Sequence, residues 1–156
     1  MDTAESANQG GAVVTTDVLG LYTKGEEFAA ATSLVSEHRC CELGGFAGAS
    51  LAFFLSAWKA TPAASRVTLI LLPNQDEADQ VLDELEALAS DPVLFFPPWE
   101  SLFLPDSEPD GETYSQRVGV LQHLLKETPA PCFVVAPVQA ILQPVPAPYI
   151  LRESNC

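Results

Sequence analysis

The chain has 156 residues, 47% of them hydrophobic and 18% charged, enough for one domain with a modest core and too apolar for wholesale disorder. Its formal net charge is −14, from 21 acidic and only 7 basic residues. Such a chain repels phosphate backbones and has no basic stripe along which DNA would lie, so direct DNA binding is not expected. No apolar run reaches the roughly 18 residues of a membrane span, the longest being Val67 to Leu72 and Leu51 to Leu55. The acidic start, with Asp2 and Glu5, lacks the positive and apolar regions of a signal peptide, which makes the cytoplasm the expected compartment. Cys40 and Cys41 are adjacent while Cys132 and Cys156 stand alone. They show no zinc-ligand spacing with His38 or His123, so idle or buried thiols and no metal are expected.

Residues 1–15 are polar and glycine-rich and read as a flexible tail. From Thr16 to His38 the apolar positions Val18, Leu19, Phe28, Leu34 and Val35 predict helix, interrupted near Gly25. Leu43 to Phe46 is a short apolar segment read as a first strand, and Ser50 to Lys59 is a run of helix formers and aromatics. Val67 to Leu72 is the clearest strand, a continuous run of the kind buried on both faces. Pro73-Asn74 ends it, and Asn74 with Glu77 makes a capping-box variant. The helix that follows carries Ala78, Val81, Leu82, Leu85 and Leu88 on one face and a solvated acidic face of Asp76, Asp79, Asp83, Glu84 and Glu86.

Val93 to Phe96 predicts the next strand, closed by Pro97-Pro98 and a long loop. A helix with Tyr114, Val118, Leu121, Leu124 and Leu125 at helical spacing follows, then a strand over Cys132 to Ala136 and a short helix over Val138 to Leu142 behind Pro137. Gln143 to Pro148 is extended and proline-rich, and 149–156 reads as a tail without a further element. Alternating strands and helices indicate right-handed βαβ units. The expected fold is therefore an α/β, P-loop-NTPase-like three-layer fragment with a mostly parallel sheet flanked by helices, occupying residues 16–148.

The segment that would carry chemistry is Gly45 to Ala52, placed between the first strand and a helix. A working phosphate loop needs glycines that turn N–H groups toward the phosphates, a Lys for the β and γ oxygens, and a Ser or Thr for magnesium. Gly45 and Gly48 keep the first part of that spacing, but Ala49 or Ser50 replaces the last glycine, Leu51 takes the lysine position and Ala52 the magnesium ligand. A leucine cannot neutralise a triphosphate, so the segment is read as a degenerate loop, with weak anion attraction at the helix start as the most it offers. The same stretch is close to a nucleophile elbow centred on Ser50, a lesser alternative, because the one downstream histidine, His123, falls inside a helix and no oxyanion-hole loop precedes the serine.

Leu94 to Phe103, which contains Phe96-Pro97-Pro98-Trp99-Glu100, resembles the "hFPxWExLPY" segment of the transcription-repair coupling factor (Mfd) family. The similarity continues through Gln116-Arg117-Val118 to Leu124 and into Phe133 to Leu142, which looks like that family's "vIVaPVxALlQ". The resemblance covers roughly 16–148 and marks Pro97, Trp99, Glu100 and Arg117 as the family-motif residues. It implies the first subdomain of a UvrB-like module that keeps a nucleotide-binding fold and has lost the ATP-handling residues, in keeping with Leu51 and Ala52. It also implies a structural or interaction role in transcription-coupled DNA repair, with no ATPase activity and no cofactor of its own. ATP belongs to translocase domains, and UvrA and RNA polymerase contacts to segments, that this sequence does not contain. The expected partners are then the remaining domains of such a factor. Trp99 and Phe103 are read as loop anchors before they are read as a contact surface. A free-standing anion-binding domain is the alternative from another class.

Overall fold

The structure, a computed structural model, describes residues 18–62, 64–99 and 111–153. The chain divides into two compact units, one up to Ala64 and one from Ser65.

In the first unit a helical turn over 18–22 precedes α1, Glu26–Glu37, and α2, Ser50–Lys59. The break between turn and α1 falls at Gly25, as the sequence predicts, and Glu26 and Glu27 place negative charge on the first turn of α1, where the helix dipole favours it. The core of this unit is aromatic. Phe28 of α1 meets Phe54 of α2 edge-on at 5.9 Å between centroids, and Tyr22 packs on Phe28 at 5.4 Å. Ala57 and Trp58 close the cluster, with Leu19, Val35 and Leu43 at its margin. Residues 39–47 are irregular, so the strand expected at Leu43 to Phe46 does not form. Two adjacent glycines, Gly44 and Gly45, the latter at φ 87°, interrupt the segment before it can extend into a pleat.

The second unit carries the α/β architecture. Its strands are β1, Val67–Leu72, β2, Val93–Phe95, and β3, Cys132–Pro137, in the order β1-β3-β2 and all parallel. Its helices are α3, Gln75–Leu88, α4, Gly111–Leu124, α5, Val138–Leu142, and α6, Pro148–Glu153. The capping box at the start of α3 is present as read. Asn74 Oδ1 accepts from the Glu77 N–H at 2.9 Å, and Asn74 Nδ2 donates to Glu77 Oε1 at 2.9 Å.

The chain crosses from β1 to β2 in one direction and returns from β2 to the central β3 in the other. Crossovers of one hand must then lie on opposite faces of the sheet. Accordingly α3 packs against all three strands on the face of Phe133 and Val135, whereas Val120 and Leu121 of α4 and Ala140 of α5 join Cys132, Val134 and Ala136 on the other. The central strand β3 is buried along its whole length. β1 is not. Its register places Leu69 and Leu71 on the α4 face, but α4 covers the β2 side of that face, so these residues are 52% and 49% exposed while Ile70 and Leu72 are buried. Burial on both faces belongs to β3 rather than to β1.

Two further differences concern the C-terminal third. The stretch expected to be a tail forms α6, which inserts Leu151 at 4% exposure and packs on α4. The buried stripe of α4 runs through Arg117 and Val120, while Tyr114 and Leu124, expected on its inner face, are exposed. An arginine occupies the position that pattern reading assigns to solvent.

The two faces of β1 predict unequal costs. Ile70→Ala removes packed core and lowers unfolding free energy by about 2–4 kcal/mol, whereas Leu71→Ala one residue on lowers it by less than about 1 kcal/mol, both read from urea denaturation of the full chain.

Candidate functional site

Three segments distant in sequence meet at Arg117, which sits one turn and a half into α4 and is 2% exposed. Its Nη1 donates to the carbonyl of Pro97 at 2.6 Å. Longer contacts of 3.5 Å reach the carbonyls of Ala140 and Pro144 and Oε1 of Gln143. The guanidinium lies over the rings of Phe96, 4.2 Å from the centroid, and Trp99, at 4.8 Å. Burial pushes the group below the ordinary arginine range, yet an arginine so far above neutrality remains charged. Among the described residues no carboxylate pairs with it. The charge is answered by carbonyl dipoles and by ring faces, and a desolvated cation–π contact contributes about 2 kcal/mol.

Gln143 completes the arrangement. Its Oε1 accepts from the Trp99 N–H at 2.6 Å and its Nε2 donates to the Trp99 carbonyl at 3.2 Å, so one amide side chain satisfies both main-chain groups of a residue that lies outside any strand. Trp99 in turn packs on Tyr114 of α4, 6.3 Å between centroids. The chain leaving β2 at Phe96, whose N–H donates to the Val135 carbonyl, is thereby tied to α4 and to the turn after α5.

Of the motif residues expected from sequence, Pro97, Trp99 and Arg117 come together here, and Glu100 lies outside the described residues. Gln143 was not singled out. It falls on the closing Q of the similar segment that begins at Phe133, and it is an amide residue directly after a short helix and before a proline.

The segment read from sequence as a degenerate phosphate loop, Gly45 to Ala52, lies in the first unit. Gly45 and Gly48 both adopt left-handed backbone, φ 87° and 54°, which a side chain would oppose. Ser50 Oγ accepts from the Ala47 N–H at 2.7 Å while the Ser50 N–H donates to the Ala47 carbonyl at 3.2 Å. Phe46 packs on Phe54 of α2 at 5.6 Å. Leu51 is half-buried and Ala52 is fully buried, so the position that would hold magnesium faces packed interior. Neither histidine bonds Ser50: His123 Nε2 pairs with the Ala130 carbonyl and His38 Nδ1 with that of Leu34. Cys40 and Cys41 are exposed and Cys132 is buried. Among the described residues no cluster of three or more potential metal ligands occurs, and no helix is long and apolar enough to cross a membrane.

No protein-family model matches the chain, and neither a curated protein nor a solved structure matches it.

If the Gln143 amide holds the Trp99 main chain, Gln143→Leu orphans a partly buried N–H and destabilises by about 1–2 kcal/mol. Arg117→Lys, which keeps the charge but loses the planar fork and the stacking, destabilises by a similar amount, about 2–3 kcal/mol. Both are read from thermal and urea unfolding, and Gln143→Leu also shifts tryptophan emission to longer wavelength as Trp99 becomes more wetted.

Proposed function

We propose that this chain is the first α/β portion of a UvrB-like module of a transcription-repair coupling factor, with a structural and interaction role and no ATP hydrolysis of its own. The observation that carries this reading is the convergence at Arg117. The Phe-Pro-Trp loop, the arginine of α4 and the turn after the Ala136-Pro137-Val138 segment resemble that family separately in sequence, and in space they make one joint. A scaffold has this form: a buried cation that fixes loops through main-chain carbonyls and ring faces. The loop at Gly45 to Ala52 fits the same role, since Leu51 and Ala52 supply neither the phosphate-binding ammonium nor a magnesium ligand. On this reading the partners are the remaining domains of the factor, with UvrA, RNA polymerase and DNA engaged by other parts of it in the cytoplasm.

A second reading rests on a specific observation, the left-handed backbone at Gly45 and Gly48. Conformations of this kind turn successive N–H groups toward a common point and can hold an anion. Titration calorimetry separates the two. The scaffold reading expects no heat of binding with magnesium-ATP or pyrophosphate up to about 1 mM, where an affinity would correspond to roughly 4 kcal/mol. Saturable binding of pyrophosphate that Gly48→Ala abolishes supports the anion-binding domain and sinks the scaffold reading. Sequencing of the adjoining DNA tests the assignment independently, because a coupling factor requires translocase motifs encoded nearby.

A further inference from the structure

Cys40 and Cys41 stand side by side in the chain, and both are free, exposed thiols, whereas Cys132 is fully buried in β3. They follow directly on α1, which ends at its cap His38, and lie in the irregular stretch 39–47. An extended strand would send neighbouring side chains to opposite faces. Here the chain bends at Arg39 and Cys40 instead, and neither cysteine belongs to a helix or strand that would fix the direction of its thiol. The chemistry open to such a pair is restricted. Neighbouring Cα atoms are about 3.8 Å apart, short of the roughly 4.4 Å at which disulfide geometry begins, so a bond between the two sulfurs is strained and easily reduced. A tetrahedral zinc takes four ligands. Among the described residues no cluster of three or more potential ligands occurs, and His38 has its Nδ1 on the Leu34 carbonyl. What the pair does fit is a soft centre that two thiolates complete.

We propose that Cys40 and Cys41 form a dithiol site for trivalent arsenic carrying one organic group. Such a compound is hydrated in water to R–As(OH)2. Each thiol gives its proton to one hydroxyl, two As–O bonds break, two As–S bonds form and two waters leave, with no change of oxidation state at arsenic or sulfur. An atom placed between the sulfurs lengthens the bridge and removes the strain of the direct disulfide. Pyramidal arsenic also holds its two sulfurs on one side, which suits residues joined by a single peptide unit, whereas a linear two-coordinate metal holds them on opposite sides. The hydrated ligand is uncharged, so the net charge of −14 does not oppose it as it would an oxyanion. Once the first thiol has reacted, the second reacts within the same molecule, and the effective concentration of one beside the other strengthens binding by about 100-fold or more over a single thiol.

The test uses the full chain with Cys156→Ser, so that the exposed pair and buried Cys132 are the thiols present, and phenylarsine oxide as the probe. Intact-mass measurement should show one phenylarsenic per folded chain, bound through two thiols. The adduct should survive an excess of the monothiol glutathione and be removed by the dithiol 2,3-dimercaptopropanol. Cys40→Ser and Cys41→Ser, both at exposed positions, should retain the parent melting temperature and each weaken binding about 100-fold. The proposal is overturned if either single variant binds phenylarsine oxide as tightly as the parent, if glutathione strips the parent as readily as the single variants, or if the adduct forms only when the chain is unfolded.

Discussion

A guanidinium taken out of water has five donors and a full charge to be answered, and in this protein backbone carbonyls and ring faces answer them. The choice has structural consequences that a carboxylate partner would not have. A carboxylate is a local partner on a flexible stem, whereas carbonyls are parts of the chain path. To bring Pro97, Ala140 and Pro144 around Arg117, the exit from β2, the end of α5 and the following turn must all be in place. The charge therefore acts as a check on the assembly of three connections. Leaving one unmade strands the cation, and a buried unpaired cation is among the most destabilising defects a domain can carry. Gln143 extends the same logic to Trp99, whose main-chain groups have no ladder to join.

That joint lies at the C-terminal ends of the strands, where the crossover order sets the geometry. Because β3 lies between its neighbours, it pairs on both edges, and its side chains meet helices on both faces. α4, which carries Arg117, must run on the face opposite α3. The arginine is thus placed over Phe96 by topology, and the aromatic sandwich with Trp99 follows from the direction in which the chain leaves β2. The same topology leaves Leu69 and Leu71 about half exposed, since α4 packs chiefly on β2 and α5 on β3.

Much of this architecture was legible in the sequence, and the misses have identifiable causes. The run Val67 to Leu72, the Asn74–Glu77 box and the leucine stripe of α3 are local signals, and each appears where the pattern puts it. What pattern could not reveal is position within the sheet. β1 and β3 are both apolar throughout, and only the strand order decides which is covered twice. The inner face of α4 was misread because hydrophobic periodicity counts an arginine as polar, while the methylene stem and planar head of Arg117 pack as well as a large apolar side chain once carbonyls surround the charge. The expected strand at Leu43 to Phe46 failed for a local reason, the flanking glycines, which the apolar count overrode. Of the candidate site, the Trp99–Arg117 pairing was visible only as separate motif residues, and nothing local to Gln143 reveals that it clamps Trp99 across 44 positions.

The segment Gly45 to Ala52 departs from a phosphate-binding loop in more than the lysine. In a phosphate-binding loop the glycines leave successive N–H groups without internal partners, and the anion satisfies them. Here Ser50 takes the Ala47 N–H, and Phe46 is held against Phe54. Ala52 has no room to become a magnesium-binding threonine, because it is already fully buried. Gly45 and Gly48 supply the left-handed backbone that this turn requires. A loop of this kind can keep the spacing of an ATP site while its hydrogen bonds serve only to start a helix.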